Sequence, residues 1–144
     1  MNAPTPATRA SDARLDVIRR AYAAHAAGDL ATVFALLHPE VEIVQTPELP
    51  WGGCHRGHDG ARRFFAALAG WVDAQPRPER WFVAGEDVVA CGRLVGRARR
   101  DGRPIDLEIV HVWTVRDGQA VRFAAWIDTP AMRRALGLAD GGSG

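Results

Sequence analysis

Lysine is absent from the 144 residues; all 18 basic side chains are arginine. Schiff-base chemistry, a phosphate-loop lysine and a lysine general base are thereby excluded. Serine occurs only at Ser11 and Ser143, both in segments that read as tails, which leaves no hydrolase nucleophile of that type in the folded part. Tyr22 is the one tyrosine, and Cys54 and Cys91 are the only cysteines. They form no CxxC pair and are too few for a disulfide-rich secreted scaffold. No run approaches the ~18 apolar residues of a membrane span. The opening MNAPTPATRA lacks the basic-then-apolar order of a signal peptide. The net charge of +1 and a pI near 7.9 are too balanced for a dedicated nucleic-acid or membrane-surface binder. The expectation is a cytoplasmic protein with neither nucleic acid nor membrane as partner. Any chemistry must come mainly from Asp, Glu, His, Cys, Arg and Tyr22.

What is present is an ordinary globular composition, 47% hydrophobic and 24% charged, at the length of one domain. Residues 1–10 and 138–144 read as tails around a single domain over 11–137. Ser11 or Asp12 is expected to cap a first helix, whose buried face carries Leu15, Ile18, Tyr22 and His25 at spacings of three and four. Gly28 ends it; Asp29 caps a second helix to about Leu37, closed by His38-Pro39. Val41, Ile43 and Gln45 share one face of a strand. Trp51–Gly57 reads as a loop or short hairpin, and a third helix runs from His58 or Asp59 to Val72, with Phe64, Phe65 and Leu68 facing inward. Gln75-Pro76-Arg77-Pro78 reads as a linker.

Four strands then follow, at about 80–84, 88–99, 104–115 and 120–128. Asp101-Gly102 and Asp117-Gly118 are hairpin-turn dipeptides in which both central positions favour positive φ. A short helix over Pro130–Leu136, capped by Thr129, closes the fold at Gly137. The order predicts an α+β domain: a curved antiparallel sheet covered by three N-terminal helices, which close a cone around an internal pocket.

The segments Tyr22–Leu30 (YAAHAAGDL), Pro50–Gly57 (PWGGCHRG), His111–Gly118 (HVWTVRDG) and Trp126–Gly137 (WIDTPAMRRALG) together resemble the nuclear transport factor 2-like superfamily. Within it, the sequence resembles in particular the SnoaL-like polyketide cyclases and ketosteroid-isomerase relatives. The resemblance spans about residues 12–137. It implies the cone-shaped fold, a homodimer formed through the exposed sheet face, and a hydrophobic small-molecule substrate handled without cofactor or metal, in secondary metabolism such as antibiotic biosynthesis. The same fold also hosts isomerases, dehydratases, epoxide-opening enzymes and non-catalytic ligand-binding or assembly domains. Aligned through Gly28-Asp29-Leu30, the isomerases' catalytic aspartate falls at Gln45, their oxyanion tyrosine at Ala21 beside Tyr22, and their oxyanion-hole aspartic acid near His111. The isomerase base is therefore missing. The cyclases' late-strand aspartate falls at Asp128.

These readings nominate Asp128 and His111 as catalytic. Asp128, beside Trp126 and Ile127, would act as a desolvated acid–base group, although its place before Pro130 equally suits a helix cap. His111 shares a strand face with Leu107, Ile109, Trp113 and Val115. There it is either a satisfied core residue or a donor to an enolate oxygen. Gln45, Tyr22, Trp51, Phe65 and Trp113 are expected to bind substrate: Gln45 and Tyr22 by hydrogen bonds, with His25 as a further donor, and the others as aromatic walls. Trp51, in a Pro/Gly loop, reads as a lid. Cys54-His55 is a weak nucleophile pair, because adjacent strand residues face opposite ways. His55 and His58 lack a recognised metal-ligand pattern. The leading expectation is a cyclase-type enzyme performing enolisation or aldol chemistry on a carbonyl-rich molecule. The alternatives are another acid–base reaction in the same pocket and a binding domain.

Overall fold

A computed structural model describes residues 3–138. The elements in chain order are α1 (Pro6–Ala26), α2 (Leu30–Leu36), β1 (Leu37–Gln45), β2 (Gly53–Arg56), α3 (Gly57–Trp71), β3 (Val72–Ala84), β4 (Asp87–Ala98), β5 (Pro104–Arg116), β6 (Gln119–Ile127) and α4 (Thr129–Ala135). All six strands form one sheet in the order β2-β1-β6-β5-β4-β3. The β1/β6 pair is parallel and the others are antiparallel, so the sheet is mixed. The expected α+β cone is present: α1 to α3 lie against the inner face of the sheet, and the core is shared between them.

Several local expectations are corrected. The first helix starts at Pro6 instead of Ser11 or Asp12, and Thr5 caps it by accepting from the Thr8 N–H. Proline at the first helical position fits because its fixed φ suits a helix start and the missing N–H has no partner to lose there. Residues 139–144, the bulk of the expected C-terminal tail, lie outside the described residues, as do residues 1 and 2. His38-Pro39 does not merely close α2; it belongs to β1, where the pairing with β6 shifts register between Leu37 and Glu42 and leaves room for a residue without an N–H.

Gln75–Pro78 is not a linker but the middle of β3, paired to β4 over its full length. β3 is the edge of the sheet, the position where proline is tolerated because no neighbour needs its N–H. Gly92 and Gly96 of β4 make the close approach possible. A Cβ at either would sit 2.1 Å from the carbonyl oxygen of Arg77 or Asp73, respectively.

The Asp117-Gly118 turn has φ of 50° and 77°, as expected of such a dipeptide. At Asp101-Gly102 only the glycine is left-handed, with φ of 75°. The cap of α4 is Asp128 rather than Thr129: its carboxylate accepts from the Ala131 N–H at 3.2 Å.

Period-two alternation divides the sheet into two unlike faces. The inner face carries Gln45, Leu94, Ile109, His111, Trp113, Phe123, Ala125 and Ile127. On the outer face a row of Phe82, Val89, Val112, Ala124, Val44 and Cys54 runs in register across all six strands. A second row, Cys91, Val110 and Trp126, lies beside it. Charged rows flank the pair, with Asp87, Arg122, Glu42 and Arg56 on one side and Arg77, Arg93 and Glu108 on the other.

Candidate active site: an imidazole held neutral in an apolar chamber

The helices and the concave sheet enclose a cavity of about 90 Å³. Its deep end is made by buried side chains: Ala21, Val33, Trp51, Phe64, Ile109, Phe123 and Ala125. Its mouth is made by half-buried ones, including His25, Phe65, Pro76 and Leu94. Among the described residues, no Asp, Glu or Arg side chain lines it. Among the described residues, Gln45 and His111 are the two buried polar side chains outside the aromatic amphiphiles, and both face this one cavity.

The hydrogen-bond chain around His111 fixes its chemistry. Trp113 Nε1, which can only donate, gives its proton to the Tyr22 hydroxyl oxygen at 2.9 Å. The Tyr22 hydroxyl lies 2.6 Å from His111 Nδ1, and we assign its O–H as the donor in that pair. That assignment pairs the Trp113 N–H, the Tyr22 hydroxyl and His111 Nδ1, and it places the imidazole proton on Nε2, which has no protein partner among the described residues. Burial, with a smaller contribution from the charge of His25, lowers the His111 pKa to about 3. Burial raises that of Tyr22 well above the ordinary phenol range, opposed in part by the Trp113 N–H. At neutral pH both are uncharged. The rings also pack: Phe123 meets His111 edge-on at 4.9 Å and stacks on Trp113 at 4.1 Å.

Gln45 ends β1 and accepts from Trp51 Nε1 at 2.8 Å through its amide oxygen. Its NH2 group has no protein partner among the described residues. Trp51 is therefore a buried wall, 2% exposed, and not a lid. Its loop closes tightly because Gly52 has no Cβ; one built there would lie 1.8 Å from the Thr46 carbonyl oxygen. His55 Nε2 secures the same loop by donating to the Trp51 and Gly52 carbonyls at 3.0 and 3.2 Å. Cys54 lies exposed on the opposite face of β2. His58 donates to the Leu37 carbonyl at 2.9 Å.

The structure thus brings five of the seven nominated residues together around one cavity, namely His111, Tyr22, Gln45, Trp113 and Phe65, with the Tyr22 hydroxyl engaged by Trp113 and His111, and it places Trp51 there as a buried wall. It does not bring Asp128 with them. That side chain is exposed at the start of α4, outside the cavity lining, so the desolvated setting expected for it is not there. His25 carries more weight than its sequence reading gave it. It stands at the cavity mouth with Nδ1 3.2 Å from Gln75 Oε1, a pairing across 50 residues that no local pattern announces.

A helix-roofed mixed sheet around an apolar chamber, with polar tips at its floor, defines a cone of the NTF2-like type. The chain belongs to the SnoaL-like domain family, whose model matches residues 18–123. It is 31% identical over 123 residues to the uncharacterized protein Rv0034 of Mycobacterium tuberculosis, covering 83% of this chain and 92% of that one. Among solved structures, an NTF2-like protein of unknown function from Burkholderia pseudomallei K96243 superposes with a TM-score of 0.81 at 30% identity. The match covers 86% of this chain and 97% of that one. TerC, co-crystallized with polyporic acid, superposes with a TM-score of 0.81 at 27% identity, covering 87% and 98%. Further chains below 25% identity, some provisionally named polyketide cyclases, share the fold alone. No helix among the described residues is long and apolar enough to cross a membrane.

Proposed function

We propose that the chain is a cofactor-independent acid–base enzyme acting on a neutral, hydrophobic carbonyl compound, within the enolisation and cyclisation chemistry of SnoaL-like cyclases. The observation that carries this reading is the Trp113–Tyr22–His111 chain. It presents one uncharged N–H to a water-poor chamber whose other buried donor is the Gln45 amide. Two fixed donors with no counter-ion suit an oxygen that gains negative charge only during reaction, because pre-aimed dipoles act strongly where water is excluded. Among the described residues, no Asp, Glu or Arg lines the cavity to pair with a ligand already carrying charge. TerC, similar over 87% of this chain, was co-crystallized with polyporic acid, which supports the small-molecule part of the reading.

The cavity is smaller than the ~150 Å³ engineered apolar cavity that holds benzene. It therefore takes a carbonyl and its immediate neighbours, and the bulk of a larger substrate extends through the mouth past Phe65, Pro76 and Leu94. The test uses phenylacetone, a neutral one-ring ketone, in D2O. The protein is expected to catalyse loss of the α-proton signals in the 1H NMR spectrum, and bound ketone without exchange would remove the catalytic reading and leave a binding domain. Asp128→Ala is expected to keep full exchange while losing about 1 kcal/mol of stability in urea melts, the usual cost of a deleted helix cap. Lost exchange in a folded Asp128→Ala variant would return that carboxylate to the mechanism.

The proposal extends to the partner, a second copy of the chain joined through the outer sheet face. Trp126 and Phe82, 65% and 53% exposed, lie in the two-row apolar band, and the charged rows on either side form a polar rim. Sedimentation is expected to give a dimer, and Trp126→Arg to shift it to monomer. An unchanged mass for that variant places the contact elsewhere.

A further inference from the structure

We infer that His25, oriented by Gln75, is the proton-transferring base of this site; the inference rests on the acid–base reading above and supplies the group that reading lacks. His111 cannot serve, because its Nδ1 is engaged by Tyr22 and the proton on Nε2 makes that nitrogen a donor. Tyr22 keeps its one proton in the hydrogen bond to His111, and Gln45 does not titrate. Among the remaining cavity-lining residues, only His25 has a side chain that can accept a proton.

The geometry equips it for that task. His25 lies in the last turn of α1, half-buried at the mouth and 5.9 Å from the Phe65 ring. Gln75 comes from β3, and its Oε1 can only accept, so His25 Nδ1 is the protonated nitrogen of the neutral ring. Nε2 is left with a free lone pair and no protein partner among the described residues. The cavity thus has a donor floor and an acceptor at its rim. A ketone whose oxygen reaches His111 and Gln45 turns its α-carbon back toward the mouth.

In the step this arrangement supports, His25 Nε2 forms a bond to the α-proton as the C–H bond breaks. The C–H electron pair becomes the enolate C=C bond, and the carbonyl π pair moves onto the oxygen held by His111 Nε2–H and the Gln45 amide. The imidazolium then returns its proton to the α-carbon, or hands it to a leaving hydroxyl at the β-carbon, so protons and electrons balance without a co-reactant. Gln75 is a positioning residue: it selects the tautomer that leaves Nε2 unprotonated.

The test is phenylacetone exchange in D2O with His25→Gln and His25→Ala, alongside tryptophan fluorescence for binding, since Trp51 and Trp113 line the cavity. Exchange is expected to fall on the order of 10²–10⁴-fold in both variants, with the phenylacetone Kd unchanged within about twofold of the wild type. Gln75→Leu is expected to lower kcat on the order of tenfold with KM unchanged, and Gln75→Glu, which keeps an acceptor toward Nδ1, to recover it. Full exchange in folded His25→Gln protein overturns this inference and leaves the enzymatic reading standing. Bound phenylacetone with no exchange in the wild type overturns both.

Discussion

His111→Leu is expected to lower α-proton exchange of phenylacetone by roughly 10²–10³-fold, the usual effect of deleting one fixed donor to a developing oxyanion. Leucine is a fair replacement in shape and polarity for this setting: the position is buried, packed against Phe123, and faced by apolar side chains on both neighbouring strands. The Tyr22 hydroxyl keeps the Trp113 N–H but loses its acceptor. That costs about 1–3 kcal/mol if no water replaces it, a loss small enough to leave the protein folded. The kinetic signature matters as much as the size of the loss. A donor whose hydrogen bond strengthens only as charge builds on oxygen should lower kcat and kcat/KM together, with KM nearly constant. A loss confined to KM would mean that His111 merely holds the ketone, and an exchange rate within threefold of wild type would remove it from the proposed chemistry.

The inner wall of the site is legible in the sequence because a strand's period of two needs no tertiary information. Once the run from Leu107 to Val115 is read as a strand, His111 and Trp113 must share a face, and Gln45 joins Val41 and Ile43 by the same rule. Helical spacing places Tyr22 and His25 in the same way. The meeting of Tyr22 with His111 is set by how α1 crosses the sheet, 89 residues away, and local pattern is silent about it. Asp128 shows the opposite failure. A carboxylate after a strand and before a proline fits an acid–base group and a helix cap equally well, and the direction of the chain after Ile127 decides between them. Trp51 misled for a related reason. A tryptophan among glycines reads as surface loop, whereas Gly52 serves to let that loop fold onto itself and bury the indole. The prolines of β3 read as a break because their tolerance depends on the strand lying at the sheet edge, a property of strand order rather than of the segment.

The neutral state of His111 carries a thermodynamic consequence that exchange kinetics do not. In the unfolded chain an imidazole titrates near 6.5; in the folded protein burial holds this one to about 3. Above the unfolded value neither state binds the proton, and the contribution of His111 to stability does not vary with pH. As pH falls below about 6.5 the unfolded state takes up a proton that the folded state refuses, so stability declines by about 1.4 kcal/mol per pH unit until the folded pKa is approached. Acidification from pH 7 to pH 4 is therefore expected to cost about 3 kcal/mol through this single group. The charge of His25 disfavours a cation there as well, adding to the effect of burial. Urea melts across this range, compared with the same series for His111→Leu, isolate the contribution, because the leucine variant retains every other titrating group. Its pH dependence is expected to be shallower by that amount, so that the two proteins differ less at pH 4 than at pH 7 and can even exchange order. Parallel curves for the two proteins would mean that His111 accepts a proton in the folded state as readily as in the unfolded one. The imidazole would then not be a neutral donor, and the assignment of His111 Nε2–H to a developing oxyanion would fail with it.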